Sequence, residues 1–125
     1  MLAKQHRLTS KEVNYILKKR QVISTPNLLF FRIPQYTNRN YNQFWIQLST
    51  KMHKRAVKRN KLKRSYYDLI KEMKFITTKT WKTQQYIKTI ALPHKNGVEE
   101  RNAQLSGKQW DEITLKLKSS LSKLF

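Results

Sequence analysis

The chain has 125 residues and carries 27 Lys and Arg against 7 Asp and Glu, a formal net charge of +20 at pH 7. Self-repulsion on this scale works against a compact monomer and predicts a polyanionic partner. The length fits one domain over residues 1–125 and excludes a second of ordinary size, while a hydrophobic content of 38% excludes a purely disordered basic tail.

The first half of the chain predicts one helix followed by three strands. Residues 10–19 open with Ser10 as a candidate cap, and Val13, Ile16 and Leu17 repeat at helical spacing. Two runs rich in β-branched and aromatic residues follow, and in a third run apolar and polar residues alternate. These runs predict strands over residues 21–24, 27–33 and 44–49.

A long amphipathic helix is predicted from about residue 55 to residue 75. Its apolar residues have the spacing of a stripe that faces a core. The stripe consists of Leu62, Tyr66, Leu69 and Met73. The opposite side carries Asn60, Lys61, Arg64 and Lys71. One side of this helix is therefore expected to pack while the other presents a basic surface.

The remaining elements are a fourth strand and a last helix. Residues 86–92 are mostly apolar and end before Pro93, which predicts a strand. Residues 106–121 carry Trp110, Ile113, Leu117 and Leu121 at helical spacing, which predicts one continuous helix. The deduced order, α-β-β-β-α-β-α, indicates a single-domain α+β sandwich with a small four-stranded sheet covered by helices. The pattern leaves the order of the strands open.

The positive charge is concentrated in the first half. Thirteen Lys and Arg lie between Lys18 and Arg64, and no acidic residue lies between Val13 and Tyr67. Residues 51–64 alone hold eight basic residues in fourteen. We therefore expect the partner-binding surface to be built from this half of the chain.

Several kinds of chemistry are excluded or disfavoured. The absence of cysteine excludes disulfides, thiolate metal sites and cysteine nucleophiles. Gly97 and Gly107 lie in no phosphate-binding motif, so nucleotide hydrolysis is not expected. No apolar signal region and no run approaching ~20 apolar residues is present, which predicts a cytoplasmic protein without a membrane partner. We expect no small-molecule ligand.

The element order and residues 59–64 (Arg-Asn-Lys-Leu-Lys-Arg) together resemble the protein subunit of bacterial ribonuclease P. In that family the long helix carries Arg-Asn-Arg, an aliphatic residue and Lys-Arg, preceded by Ala-Val. Here Ala56 and Val57 precede Arg59, and Lys61 replaces the second arginine. The resemblance spans nearly the whole chain.

The resemblance implies a fold like that of ribosomal protein S5 domain 2 and a role as the protein cofactor of a ribozyme. That ribozyme removes the 5′ leader of precursor tRNA. Its chemistry belongs to the RNA and to Mg²⁺ held with the RNA, so no catalytic side chain is expected, and no side chain of the protein is assigned to a metal. The implied partners are the catalytic ribonuclease P RNA and precursor tRNA.

The resemblance also assigns candidate site residues. The long helix would contact the catalytic RNA, where Arg59 and Arg64 can bind phosphates bidentately and release counterions. A cleft between the first helix and the sheet would receive the single-stranded leader. Its candidates are Val13 and Leu17, at the positions of two family aromatics, and Phe31, which matches a cleft aromatic able to stack bases. The candidate RNA-binding residues are Lys51, Lys54, Arg55, Arg59, Asn60, Lys61, Lys63 and Arg64.

Other interpretations stay open at this level. Aromatic residues on strands commonly fill cores, so Phe31 is equally compatible with packing. A ribosomal or architectural RNA-binding protein without a processing role would have the same composition. His6, His53 and His94 could suggest acid–base catalysis by the protein, but no spacing brings two of them together. Asp68 and Glu72 have the spacing of charges on a helix surface rather than of a metal site.

Overall fold

The computed structural model describes residues 2–19, 21–25, 28–48, 52, 55–94 and 105–125. This part of the chain forms a four-stranded sheet with helices, so the predicted α+β class is confirmed. None of its helices is long and apolar enough to cross a membrane. The elements are α1 (Ser10–Lys19), β1 (Gln21–Ser24), β2 (Leu28–Pro34), β3 (Gln43–Ile46), α2 (Ala56–Glu72), β4 (Ile87–Pro93), α3 (Gly107–Leu115) and α4 (Leu117–Ser122), with short 3₁₀ turns at Lys4–His6 and Phe75–Thr77.

The strands lie in the order β1-β2-β4-β3. β2 pairs antiparallel with both β1 and β4, whereas β3 pairs parallel with β4. α2 therefore belongs to a crossover connection between two parallel neighbours. An isolated bridge between Arg7 and Phe44 places the N-terminal segment along the outer side of β3.

The helices cover both faces of the sheet. Lys88 on β4 forms an ion pair with Glu12 on α1, which identifies the face that α1 covers. Phe44 points to the other face, where its ring lies 6.0 Å from that of Phe125 at the C-terminus. Because side chains alternate along a strand, these two contacts assign every residue of β3 and β4 to a face.

α2 is fixed on the sheet by its apolar stripe. Of the predicted stripe, Leu62 and Tyr66 are fully buried and Leu69 and Met73 are partly buried against the core; Ile70, which the prediction left out, is fully buried as well. The hydroxyl of Tyr66 donates to the backbone carbonyl of Trp45 on β3 at 3.3 Å. The basic side of the helix is thereby held outward.

The start of α1 differs from the prediction in its cap. Thr9, not Ser10, forms a capping box: its Oγ1 accepts from the Glu12 N–H at 3.3 Å, and Glu12 Oε1 accepts from the Thr9 N–H at 3.2 Å. The choice of Ser10 was wrong because this box requires an acidic or amide side chain three residues after the cap. Thr9 has Glu12 at that distance, whereas Ser10 has Val13.

The last predicted helix is broken. α3 and α4 are separated at Lys116, whose ψ of 10° departs from the helical value, so the prediction of one continuous helix was wrong. Neither Gly nor Pro marks the break in the sequence. Both pieces still bury the predicted stripe, since Trp110 and Ile113 on α3 and Leu117 and Leu121 on α4 are buried.

Candidate nucleic-acid interface

The basic surface of α2 contains most of the predicted RNA-binding residues. Among its candidates Arg59 is half-buried, and the rest are exposed: Arg55, Asn60, Lys61, Lys63 and Arg64. Lys58 adds a further cation, and no acidic residue occurs between residues 55 and 64. Lys51 and Lys54 lie outside the described residues.

The first turn of α2 is built without the groups that ordinarily stabilise a helix start. Arg55 occupies the cap position and makes no side-chain capping hydrogen bond, and the first turn has no acidic residue. α3, in contrast, has a complete capping box between Ser106 and Gln109. Cations near a helix N-terminus oppose the macrodipole, and a bound anion there would be favourable. The beginning of α2 is therefore unfavourable for the helix alone and would be stabilised by a bound anion.

The basic surface continues from α2 to the edge of the sheet. A groove of about 390 Å³ runs along α2, and a second of about 300 Å³ lies between α2 and β3; Lys63 and Tyr67 line both. Burial raises the pKa of Tyr67, although its contact with the Ile46 backbone and the charge of Arg7 act in the opposite direction. Its hydroxyl therefore stays protonated at neutral pH. The first groove is lined by Asn60, Lys63, Arg64, Tyr67 and Asp68, and the second includes Arg7, Trp45, Gln47, Lys63 and Tyr67.

A second charged site lies on the face covered by α1. The Nζ of Lys88 is 2.8 Å from Glu12 Oε2, and the Lys88 side chain is only 3% exposed. The same Nζ lies 3.7 Å from the ring centroid of Tyr36, and the Arg39 guanidinium is 4.9 Å from that centroid. Tyr36 is nevertheless 55% exposed. The cleft between α1 and the sheet therefore has an aromatic side chain and two cations at one end.

The predicted cleft residues are less accessible. Val13 is buried and Leu17 is half-buried. Phe31 pairs with Val22 on one side and Ile90 on the other and is fully buried on the α1 face. It has no exposed ring face, because two neighbouring strands and α1 surround it, so here it packs in the core instead of offering a stacking surface. Leu17 is the one partly exposed member of the three.

Sequence reasoning missed Lys88 and Tyr36. All seven residues of β4 are buried, so Lys88 is a cation within a buried strand, and a lysine in such a run requires a partner. That signal was available in residues 86–92. Tyr36 gave no signal of its own, because its environment depends on Lys88 and on the fold of the segment 35–42.

The two described histidines, His6 and His94, have different neighbours. His94 is buried, with its Nε2 2.8 Å from the carbonyl oxygen of Thr25, and His6 packs edge-on against Tyr41. His53 lies outside the described residues. Within the described ranges, no three His, Asp or Glu side chains are close enough to share a metal ion. Asp68 and Glu72 lie exposed on α2.

Comparisons with known proteins agree on one family. A family model described as Ribonuclease P matches residues 2–118. The RNase P protein of Staphylococcus aureus is similar in structure, with a TM-score of 0.66, 18% identity, and coverage of 95% of this chain and 91% of that one. The RNase P protein of Thermotoga maritima gives a TM-score of 0.65 and 17% identity, covering 94% and 93% of the two chains. No curated protein matches significantly.

Proposed function

The chain belongs to the ribonuclease P protein family, and from that premise we propose that it is the protein subunit that assists an RNA catalyst in removing the 5′ leader of precursor tRNA. The observation that carries this proposal is the outward basic side of α2, from Arg55 to Arg64. Because the apolar stripe of α2 is buried against the sheet, the basic side chains point to solvent, where a polyanion can bind them.

The proposed contact of α2 is with the phosphates of the catalytic RNA. Arg55, Lys58, Arg59, Lys61, Lys63 and Arg64 supply six cations over ten residues with no acid among them. Each phosphate that they neutralise releases counterions, which drives binding and makes it depend strongly on salt. The first turn of α2 has no side-chain cap from Arg55, and its backbone N–H groups lie next to the same surface.

The proposed site of the leader is the cleft between α1 and the sheet. Tyr36 is exposed at one end of it, and the cations of Lys88 and Arg39 lie against its ring. Leu17 adds a partly exposed apolar side chain. An aromatic residue with adjacent cations suits a single strand without regard to its sequence, because every base has a stacking face. Sequence tolerance would suit an enzyme that processes many different leaders.

In this proposal the bond cleavage belongs to the RNA subunit and to Mg²⁺ bound with that RNA. The metal supplies the charge stabilisation and the activated water of phosphodiester hydrolysis. The protein's residues bind and orient: the α2 surface holds the catalytic RNA, and the α1 cleft positions the substrate. No side chain of the protein is given a proton-transfer role.

The test is the identity of the RNA that the protein binds. The chain, purified from its own cells under low salt, is predicted to retain one major RNA together with precursor tRNA, and sequencing should identify the former as ribonuclease P RNA. A ribosomal or architectural role, the competing interpretation, requires ribosomal RNA instead. Recovery of ribosomal RNA alone would reject the proposal. A parallel purification of Arg59→Ala/Arg64→Ala should yield much less of the catalytic RNA.

A further inference from the structure

A further groove, separate from the two along α2, lies on the face of the sheet away from α1. It has a volume of about 630 Å³ and lies between β1, β2, the segment 80–82 and the end of α4. Arg32 neighbours Phe31 on β2 and therefore points to the face opposite the α1 cleft. None of the groove's lining residues comes from α2. We call it the back groove; its walls include Ile23, Arg32, Trp81, Lys82, Lys123 and Leu124.

Among the residues that the structure describes, the charged lining of the back groove is entirely basic. Arg32, Lys82 and Lys123 line it, and none of the described acidic residues does. Arg32 Nε is buried and, among the described residues, has no hydrogen-bond partner. Burial lowers the pKa of Arg32, but a guanidinium this basic remains charged. A buried donor on a cation is costly to leave unsatisfied, and an anion in the groove would satisfy it.

The groove also exposes an indole. Trp81 is 58% exposed, an unusual environment for the largest apolar side chain, and the Nζ of Lys82 lies 5.2 Å from its ring centroid. Exposed aromatic rings beside cations are the common surface on which proteins stack the bases of single-stranded nucleic acids. An acidic peptide would pair with the cations but would leave the indole without a matching planar partner. The combination favours a nucleotide chain.

We propose that the back groove binds a single-stranded segment of RNA, with one unpaired base stacked on Trp81 and its phosphates held by Arg32, Lys82 and Lys123. The site is independent of both surfaces described above: it faces away from the α1 cleft and shares no residue with the basic side of α2. One protein could therefore hold RNA on opposite sides of its sheet.

The test uses the full chain carrying Arg59→Ala/Arg64→Ala, which removes two of the six cations of the α2 surface and so lowers the share of that surface in binding. A fluorescently labelled oligouridylate of about ten nucleotides, the size range of single-strand sites, is the probe. Binding is followed by the anisotropy of the label and, with unlabelled probe, by tryptophan emission. Stacking on Trp81 should quench the emission. Trp110 is 2% exposed and shielded from the probe, and any quenching of the half-buried Trp45 is the part of the signal that remains in Trp81→Ala.

Trp81→Ala is expected to lower the affinity about fivefold or more, and Trp81→Phe to restore most of it without restoring the quench. Arg32→Gln should also weaken binding, whereas Leu115→Ala, at an 83% exposed apolar residue on α3, should not. Unchanged affinity and quenching in Trp81→Ala would overturn the proposal. It would also be overturned if inorganic polyphosphate displaced the probe equally well from both proteins, because the groove would then bind charge without stacking a base.

Discussion

The Nζ of Lys88 lies 2.8 Å from Oε2 of Glu12, joining the middle of the sheet to the first turn of α1. The other carboxylate oxygen of Glu12 accepts from the N–H of Thr9 in the capping box. One side chain thus closes the start of α1 and neutralises a buried lysine. The contact fixes α1 across the cleft that we assign to the leader.

Glu12→Gln is predicted to destabilise the fold by about 2 kcal/mol near neutral pH. This is less than the ~3 to 5 kcal/mol for a fully buried pair, because the Glu12 side chain is 21% exposed. The glutamine can keep the capping box but leaves Lys88 without a counter-charge. Urea unfolding of the two proteins measures the difference.

The pH dependence of that difference follows from the carboxyl group. Burial by itself raises the pKa of Glu12, but the hydrogen bond and charge of Lys88 together with the bonds to Thr9 outweigh it, and the net pKa is lowered. A lowered pKa in the folded state contributes stability that is present above the unfolded-state pKa of 4.5 and is lost as the pH falls through the folded value. The destabilisation should therefore shrink in acid; a constant difference down to pH 3 would contradict the ion pair.

Asn42→Ala is predicted to cost about 3 kcal/mol of stability. The buried Asn42 amide donates to the carbonyls of Phe75 and Thr78 at 2.6 and 2.7 Å and accepts from the Ile87 N–H at 2.7 Å. Removing it takes a hydrogen-bond partner from each of three backbone groups, at roughly 1 kcal/mol or more for each lost bond, although the Phe75 carbonyl still accepts from the Thr78 N–H at 3.4 Å. Thermal or urea denaturation measures the loss. Asn40→Ala, at an exposed residue in the same loop, is the control and should change stability by less than about 0.5 kcal/mol.

Tyr36→Ala is predicted to weaken binding of precursor tRNA by about fivefold or more, through loss of a contact with the leader. The affinity for mature tRNA, which lacks the leader, should be unchanged. Tyr36→Phe keeps the ring and its packing on Lys88 and is the matched control. Binding of both tRNAs to the reconstituted holoenzyme provides the measurement, and an equal loss for both would show that Tyr36 does not contact the leader.

The sequence predicted the local elements well and the long-range contacts poorly. Residues 10–19 and 21–24 match α1 and β1, because spacing and residue type act within a few residues. The pairing of β2 with β4 joins Phe31 to Ile90 across about half of the chain, so no local pattern could show that Phe31 would be enclosed. The separation of Glu12 from Lys88 is longer still, and it hid the partner of Lys88. At the basic side of α2, by contrast, exposure followed from helical spacing alone.

The most direct measurement of the central claim is leader cleavage by the catalytic RNA reconstituted with Arg59→Ala/Arg64→Ala at low Mg²⁺. Because two charge-assisted phosphate contacts are removed, we predict that affinity for the catalytic RNA falls about tenfold or more and that cleavage falls with it. The charge-matched control, Lys108→Ala/Lys118→Ala, removes two exposed lysines from α3 and α4 and should process normally. Wild-type affinity and cleavage in the arginine variant would contradict the account.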